Sequence, residues 1–494
     1  MLPPEVWTII CSQLSQFDLC SLLLVNKELS DIALAQLYCS IIVDSHYTQF
    51  DPEYVQTNRL FQTRKTFIRT KPNINGFLHS SKVAKVKCLE IVHCPQEFID
   101  FELKLSKSLA SFTSLAALRI DQPVSLDLLE NIHSNLDHLS LAINNFRPCR
   151  LQFAPLCLKS ISIGPSSQPN DLTSALVQDT SKLQALELVR PHRKIHLRDL
   201  ISSSIRYPRT VLDFPAVSHL SLVSAILTPQ DSIPLAVQNN LKSICFADTN
   251  EIAESESLLD TLNPPKLEIL AIDLRQGSID SVAPFLNRLS PNSLRELSLV
   301  IRYNILKQSP LMQLLDQYVA AISRQSGSLE KLSLEIRSEK ELVELHEQLS
   351  ESQFSQLFMK QSFPRLSSLR IQTQFAFISK NKQSFFNCLP NLQKLWILGS
   401  NSFEKHWGLG NAYPGVFDNW LRIQHLPTGL LNDAPKPNTK LEYIKIDECL
   451  FQIKKEQDVY EIVPRDSIDS WFESHTDVRW NPRLWSSEIL MVDS

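Results

Sequence analysis

Glycine is scarce. Nine occur in 494 residues, against 28 prolines. The chain has no Gly-rich loop of the kind that cradles phosphates, neither GxxxxGK[ST] nor GxGxxG. The balance suits helices and short strands joined by proline-marked turns. Charge of one sign is lacking too: 49 Lys and Arg stand against 53 Asp and Glu, a net charge of -4. That argues against a broad electrostatic footprint, so no nucleic-acid partner is expected. Long apolar runs are absent. Leu19 to Val25 is interrupted by Cys20 and Ser21 and bounded by Asp18 and Lys27, far short of the roughly 20 residues of a bilayer span. The start carries no positive charge and has Glu5 inside it, unlike a secretion leader. No membrane partner is expected. Ten cysteines occur, none in a CxxC pair, so reduced and mostly buried thiols of an intracellular protein are expected rather than a zinc site. The address would be cytoplasmic, nuclear or both. GxSxG and HExxH are missing. The twelve histidines are scattered, and His138 and His219 read as surface groups of strands. No catalytic residue, cofactor or metal site is expected, and the chain reads as a non-enzyme.

What is present is a hydrophobic share of 43%, enough for a sizeable core, and two patterns. The first fills residues 1–43. Pro3 and Pro4 sit where a first helical turn tolerates proline, and Glu5 follows where negative charge suits a helix N-terminus. Val6, Ile9 and Ile10 recur at helical spacing up to Leu14. Asp18 can cap a second helix through Leu19, Leu22 and Leu23. A third helix carries Leu29, Ile32, Ala33 and Leu37 on one face. Three such helices bury too little to be securely stable alone. This stretch resembles the F-box, through Leu2, Pro3, Glu5, Val6, Ile9, Leu14, Asp18, Leu19, Leu22, Val25 and Lys27, and its tail ALAQLYCSIIVD is similar to that of fungal F-box proteins. It departs from the family at Leu29, where an aromatic is common, and at Asn26, where Cys or Ser is common. The resemblance implies docking on a Skp-type adaptor, and through it, indirectly, on a cullin scaffold carrying the ubiquitin-conjugating machinery. The adaptor-binding residues would be Leu2, Pro3, Glu5, Ile9, Leu14, Asp18, Leu19, Leu22, Val25 and Lys27.

Residues 44–81 read as a connector, with one helix expected around Asn58 to Thr70. From residue 82 to 450 a second pattern recurs: apolar, two residues, apolar, one residue, apolar. Thirteen copies begin at Val86, Leu115, Leu136, Leu158, Leu183, Val217, Leu241, Leu267, Leu294, Leu329, Leu366, Leu392 and Leu441. Alternation puts the apolar members of each copy on one face of a short strand. Helical stretches such as Ile279 to Leu289 and Leu311 to Ser323 lie between, the latter with Ser309 as a candidate cap and Pro310 at its first position. Each unit must stack on the next to bury its apolar face. Most spacings fall in or near the roughly 20–29 residues of leucine-rich repeats, and the array resembles that family in degenerate form. The fold expected is α/β: a three-helix F-box, then a leucine-rich repeat solenoid with a parallel concave sheet. A long insertion interrupts it at about 399–440. Residues 451–494 read as a C-terminal cap and tail, with a helix near Ser467 to Glu473.

In such an array the residue between the last two apolar positions faces the opposite, concave side. At the C-terminal end this column runs Arg370, Trp396, Lys445, with Lys394 and Tyr443 beside it. A solvent-facing Trp among cations has the makeup of a hot spot for a target bearing carboxylates or phosphate. Equally, the glycine-bearing insertion could fold over Trp396. A rim patch at Arg190, His192, Arg193, Lys194, His196 and Arg198 is a lesser candidate. The function expected is substrate recognition in an SCF-type ubiquitin ligase, the helices docking the adaptor and the repeats holding an unidentified protein target. The alternative is an F-box and leucine-rich repeat scaffold acting outside ubiquitin ligation.

Overall fold

The computed structural model describes residues 3–12, 14, 16–45, 66–95, 98, 100–124, 128, 131–132, 136–143, 157–164, 180–189, 216–227, 233, 235–251, 257–275, 279–303, 311–338, 349–398, 427, 430–431, 440–446, 449–456 and 459–465. They fall into two compact units, the first holding the elements up to residue 189 and the second those from residue 219.

The first unit opens with α1 (Pro4–Cys11), α2 (Gln16–Leu22) and α3 (Lys27–Cys39). Pro4 stands in the first turn of α1, where its missing N–H is no loss. Asn26 caps α3, its Oδ1 accepting from the Leu29 amide at 2.9 Å. Strand β1 (Ser40–Asp44) leaves α3 without a loop. It pairs in parallel with β2 (Thr66–Ile68) on one side and β3 (Cys88–His93) on the other. Parallel pairing continues from β3 through β4 (Ala117–Val124), β5 (His138–Ile143) and β6 (Ser160–Gly164) to β7 (Ala185–Val189). Of the helix expected at Asn58 to Thr70, the residues up to 65 lie outside those described, and Thr66–Ile68 is strand.

The second unit repeats the plan. β8 (His219–Val223) and β9 (Ile226–Leu227) pair with β10 (Ser243–Glu251). Parallel pairing then runs through β11 (Ile269–Arg275), β12 (Glu296–Tyr303), β13 (Lys331–Ser338), β14 (Ser368–Gln372) and β15 (Lys394–Leu398) to β16 (Tyr443–Ile446). The direction then reverses. β17 (Cys449–Glu456) and β18 (Val459–Arg465) add an antiparallel hairpin, with Phe451 wholly buried. The hairpin continues the sheet beyond the last leucine-bearing strand. Ser467 to Glu473 lies outside the described residues.

All thirteen copies of the apolar pattern carry a strand, each starting two residues after the copy's first apolar side chain. Those first side chains, from Val86 to Leu441, are buried in every copy. In eleven of the thirteen copies the residue that follows this side chain ties one copy to the next within its unit. The Lys87 carbonyl accepts from the amides of both Ala116 and Ala117, at 2.8 and 3.0 Å, and the Gln393 carbonyl does the same for Glu442 and Tyr443 at 2.8 and 3.1 Å. Helices Ile279–Arg288, Leu311–Ser323 and Glu351–Phe358 pack side by side in the second unit, burying Phe285, Val319 and Phe354. The expected cap residues Ser309 and Pro310 lie outside the described residues.

A polar staple joins two successive repeats here. Gln325 is fully buried. Its Oε1 accepts from the amides of Ser293 and Leu294 at 2.9 and 3.2 Å, and its Nε2 donates to the Ser290 carbonyl at 3.0 Å. Asn292, at a φ of 57°, accepts from the Gly327 amide at 2.8 Å. A Cβ on Gly327 would meet that same Asn292 side-chain oxygen at 2.8 Å, so a larger residue there would push the Asn292 side chain off this hydrogen bond.

Candidate functional site

Two places hold the expected site residues, one in each unit. The first is the helical head. Cys11, Leu19, Ala33 and Leu37 form its interior, and Leu14, Leu22, Leu23, Ile32 and Tyr38 pack against it. Leu14, Leu19 and Leu22, expected to touch the adaptor, thus face inward or sit at the rim of this core. Burial pushes the Cys11 thiol up from its ordinary pKa, so it stays a neutral thiol and acts as a small apolar group. The outward residues are different ones. Ile9 is 65% exposed, Leu24 89%, Val25 61% and Val6 37%. Val6 and Ile9 are three apart and share one side of α1. Leu24 and Val25 lie in the turn before α3. Among the described residues only Leu103 and Leu235 are comparably exposed large hydrophobics. Pro3, Glu5, Asp18 and Lys27 are exposed too, and Leu2 lies outside the described residues. Val6 was legible as part of the helical pattern but not as an outward residue, and Leu24 carried no periodic signal.

The second place is the sheet face opposite the leucines, at the C-terminal end of the second unit. Strand register sets Ser333, Arg370, Trp396 and Lys445 side by side, with Lys331, Ser368, Lys394 and Tyr443 as the neighbouring row. The Arg370 guanidinium lies 4.3 Å from the Trp396 ring centroid, and Lys445 Nζ lies 3.9 Å from it. Arg370 Nη1 also donates to Ser333 Oγ and to Glu335 Oε2, each at 3.3 Å. The expectation of a solvent-facing Trp396 is corrected: Trp396 is 4% exposed, Arg370 3% and Lys445 1%. The physical reason is the strand spacing of about 4.8 Å, which puts a neighbour's side chain against each face of the ring. What results is a buried cation–π stack held by an ion pair. Lys394 and Tyr443 are half-buried.

The same column is polar in the first unit, with Glu90, Ser140, Ser162 and Glu187 buried and Arg119 half-buried. Arg119 pairs with Glu90 at 3.5 Å, and Ser162 Oγ donates to Glu187 at 2.7 Å, with Glu187 almost fully buried. The row that precedes the strands is instead open to solvent. In the second unit Arg295 lies 2.9 Å from Glu330 and 3.8 Å from Glu268. The hydrogen bond from Arg295 holds the Glu330 carboxyl below its ordinary range, while Glu330 raises the Arg295 pKa. Among the described residues no group of three His, Cys, Asp or Glu could hold a metal ion, and no helix is long and apolar enough to cross a membrane. The expected rim patch from Arg190 to Arg198 and nearly all of 399–440 lie outside the described residues; Leu430 and Leu431 are buried.

No family model matches the chain. No curated protein matches it either. Among solved structures it is similar to a chain of the crystal structure of the Rad7 and Elc1 complex in yeast, with a TM-score of 0.40 and 15% identity, over 84% of this chain and 94% of that one.

Proposed function

We propose that this chain is the substrate-recognition subunit of an SCF-type ubiquitin ligase, with α1 to α3 as an F-box that docks a Skp-type adaptor and the parallel repeats holding a target protein. The observation that supports this reading is the outward apolar set of the head, Val6, Ile9, Leu24 and Val25, on a segment whose own core is already filled. A small head with a formed interior has no folding reason to keep four such side chains in water. Their place in a segment that resembles the F-box gives the partner. Glu5, Asp18 and Lys27 would form the polar rim of the contact. The chain itself is non-catalytic in this reading. It works inside the cell by holding a target near the transfer machinery, so rate comes from proximity. With Arg370, Trp396 and Lys445 buried, Lys394 and Tyr443 are the parts of that column pair a target can reach.

The test is capture of purified adaptor by the full chain and by the Ile9→Asp, Val25→Asp double variant. Burying each side chain is worth about 1.5–3 kcal/mol, so the double variant should bind the adaptor at least about 100-fold more weakly, with unchanged circular dichroism. Equal affinity would end the proposed docking mode. Cullin association in cell extract separates the ligase from a scaffold outside ubiquitin ligation, which would hold adaptor without cullin.

A further inference from the structure

From Tyr54 to Leu89 the chain carries eight Lys and Arg and no Asp or Glu. This is a one-signed stretch within a protein of net charge -4. Its described part is built on rigid structure. The 3-10 turn Ser81–Lys85 starts at Ser80, whose Oγ accepts from the Lys82 amide at 3.1 Å. Val83 and Val86 are buried at 1% and 0%. Lys82 is half-exposed, and Lys85 and Lys87 are exposed. Lys87 is pinned on both sides, its amide donating to the Cys39 carbonyl at 2.9 Å and its carbonyl accepting from Ala116 and Ala117.

With the valines inward, the three lysines line one outward row. Lys82 and Lys85 are eclipsed on a 3-10 helix, about 6 Å apart along its axis. Val86 is extended, at φ -71° and ψ 119°, which sets Lys87 on the same side as Lys85, about 6.6 Å further on. None of the three makes an ion pair among the described residues. Helix Lys71–Leu78, packed on the turn, contains no acid. The acids of α3, Glu28 and Asp31, stand in its first two turns, about 12 Å or more along the axis from the Cys39 end that meets Lys87. Of the nearby cations, Lys104 is held by Asp100 at 3.0 Å, and both Lys71 and Lys104 lie over the Phe98 ring.

We infer that Lys82, Lys85 and Lys87 form a docking row for an extended acidic segment of a partner protein. The rise of an extended chain brings alternate residues to one face every 6.6 Å or so, which matches the spacing of the row. Carboxylates at three alternate positions would each meet one ammonium. A nucleic acid fits less well. Three lysines neutralise only about three phosphates, a weak and strongly salt-dependent contact. The two nearby Phe rings, Phe77 and Phe98, are buried and offer no platform for stacking a base. The inference stands independently of adaptor docking by the head.

The experiment uses the full chain and its Lys82→Glu, Lys85→Glu, Lys87→Glu variant. The probe is a fluorescein-labelled peptide of about ten residues with Asp at alternate positions, read by anisotropy at about 50 and 200 mM salt. The native chain should bind, more weakly at higher salt. The charge-reversed variant should lose about tenfold or more in affinity, while a triple Lys→Arg variant keeps it. No binding by the native chain, or equal binding by the reversed variant, overturns the inference. A labelled DNA duplex bound more tightly than the peptide, and lost in the same variant, overturns it in favour of nucleic acid. Circular dichroism of each variant confirms that the surface changes leave the fold intact.

Discussion

Trp396 gives both faces of its ring to neighbours in register, Arg370 on β14 and Lys445 on β16. The ring therefore contributes to stability before it can contribute to binding. Trp396→Ala is expected to cost about 3–5 kcal/mol in urea unfolding, and Trp396→Phe distinctly less, since a smaller ring keeps part of the stack. Arg370→Met should cost about 3 kcal/mol or more, because it takes from the buried Glu335 its Arg370 partner. Equal stability of Trp396→Ala and the native chain would mean the stack is incidental. The column itself was legible, since alternation assigns Arg370, Trp396 and Lys445 to one face. Their burial was not, because strand period says which way a side chain points and nothing about what lies against it. At the surface the stakes are smaller. Glu330 has its folded pKa lowered chiefly by the Arg295 hydrogen bond. A lowered carboxylate stabilises above its unfolded pKa, 4.5 for a free Glu, and that stability is lost as pH falls through the folded value. Glu330→Gln should cost about 0.5 kcal/mol or less at pH 7 on this half-exposed pair. The difference from the native chain should shrink as pH falls below 4.5 and vanish once the folded Glu330 carboxyl is itself protonated.

At the scale of elements, the thirteen strands were legible because each copy of the pattern needs only one apolar face to bury. β1 and β2 were not. β1 is the tail of what reads as a helical head, and β2 has three residues, too few to show a period. The hairpin of β17 and β18 was not legible as strands, since its sequence breaks the leucine spacing that marks the parallel ones. The inter-repeat staple at Gln325 carried no signal at all: a single glutamine looks like any surface residue until its neighbours are known. Its removal should show how strongly the repeats are coupled. Gln325→Ala leaves the buried Leu294 amide and the Ser293 amide without the acceptor they share. The expected cost is about 2–4 kcal/mol, read as a lower urea midpoint. Leu329→Ala, a plain cavity at a wholly buried site, should fall in the same range, about 2–5 kcal/mol. A Gln325→Ala variant as stable as the native chain would show that water replaces the staple at no cost.

For the molecule as a whole, the decisive point is that the head and the first sheet share a strand. The sequence suggests a clean F-box ending at residue 43, and the head does hold its own small core. Yet α3 runs straight into β1, whose Ile41 and Val43 are each 1% exposed, and which pairs with both β2 and β3. Deleting residues 1–43 would strip a central strand from the first unit and uncover β3. Losing three buried branched side chains costs about 5 kcal/mol or more by transfer alone, and in a unit of this size each kcal/mol is worth about 2–4 °C. The truncated chain should melt at least about 10 °C lower than the native one, or aggregate. The Ile9→Asp, Val25→Asp variant, altered only where the head already meets water, should melt within about 2 °C of it. A truncated chain with unchanged melting would show the head to be an independent module. If the expected difference is found, loss of adaptor binding on truncation says nothing about docking, because the fold has gone with it. Only the point variants then report on the contact, since they separate the outward face of the head from the strand that holds the first unit together.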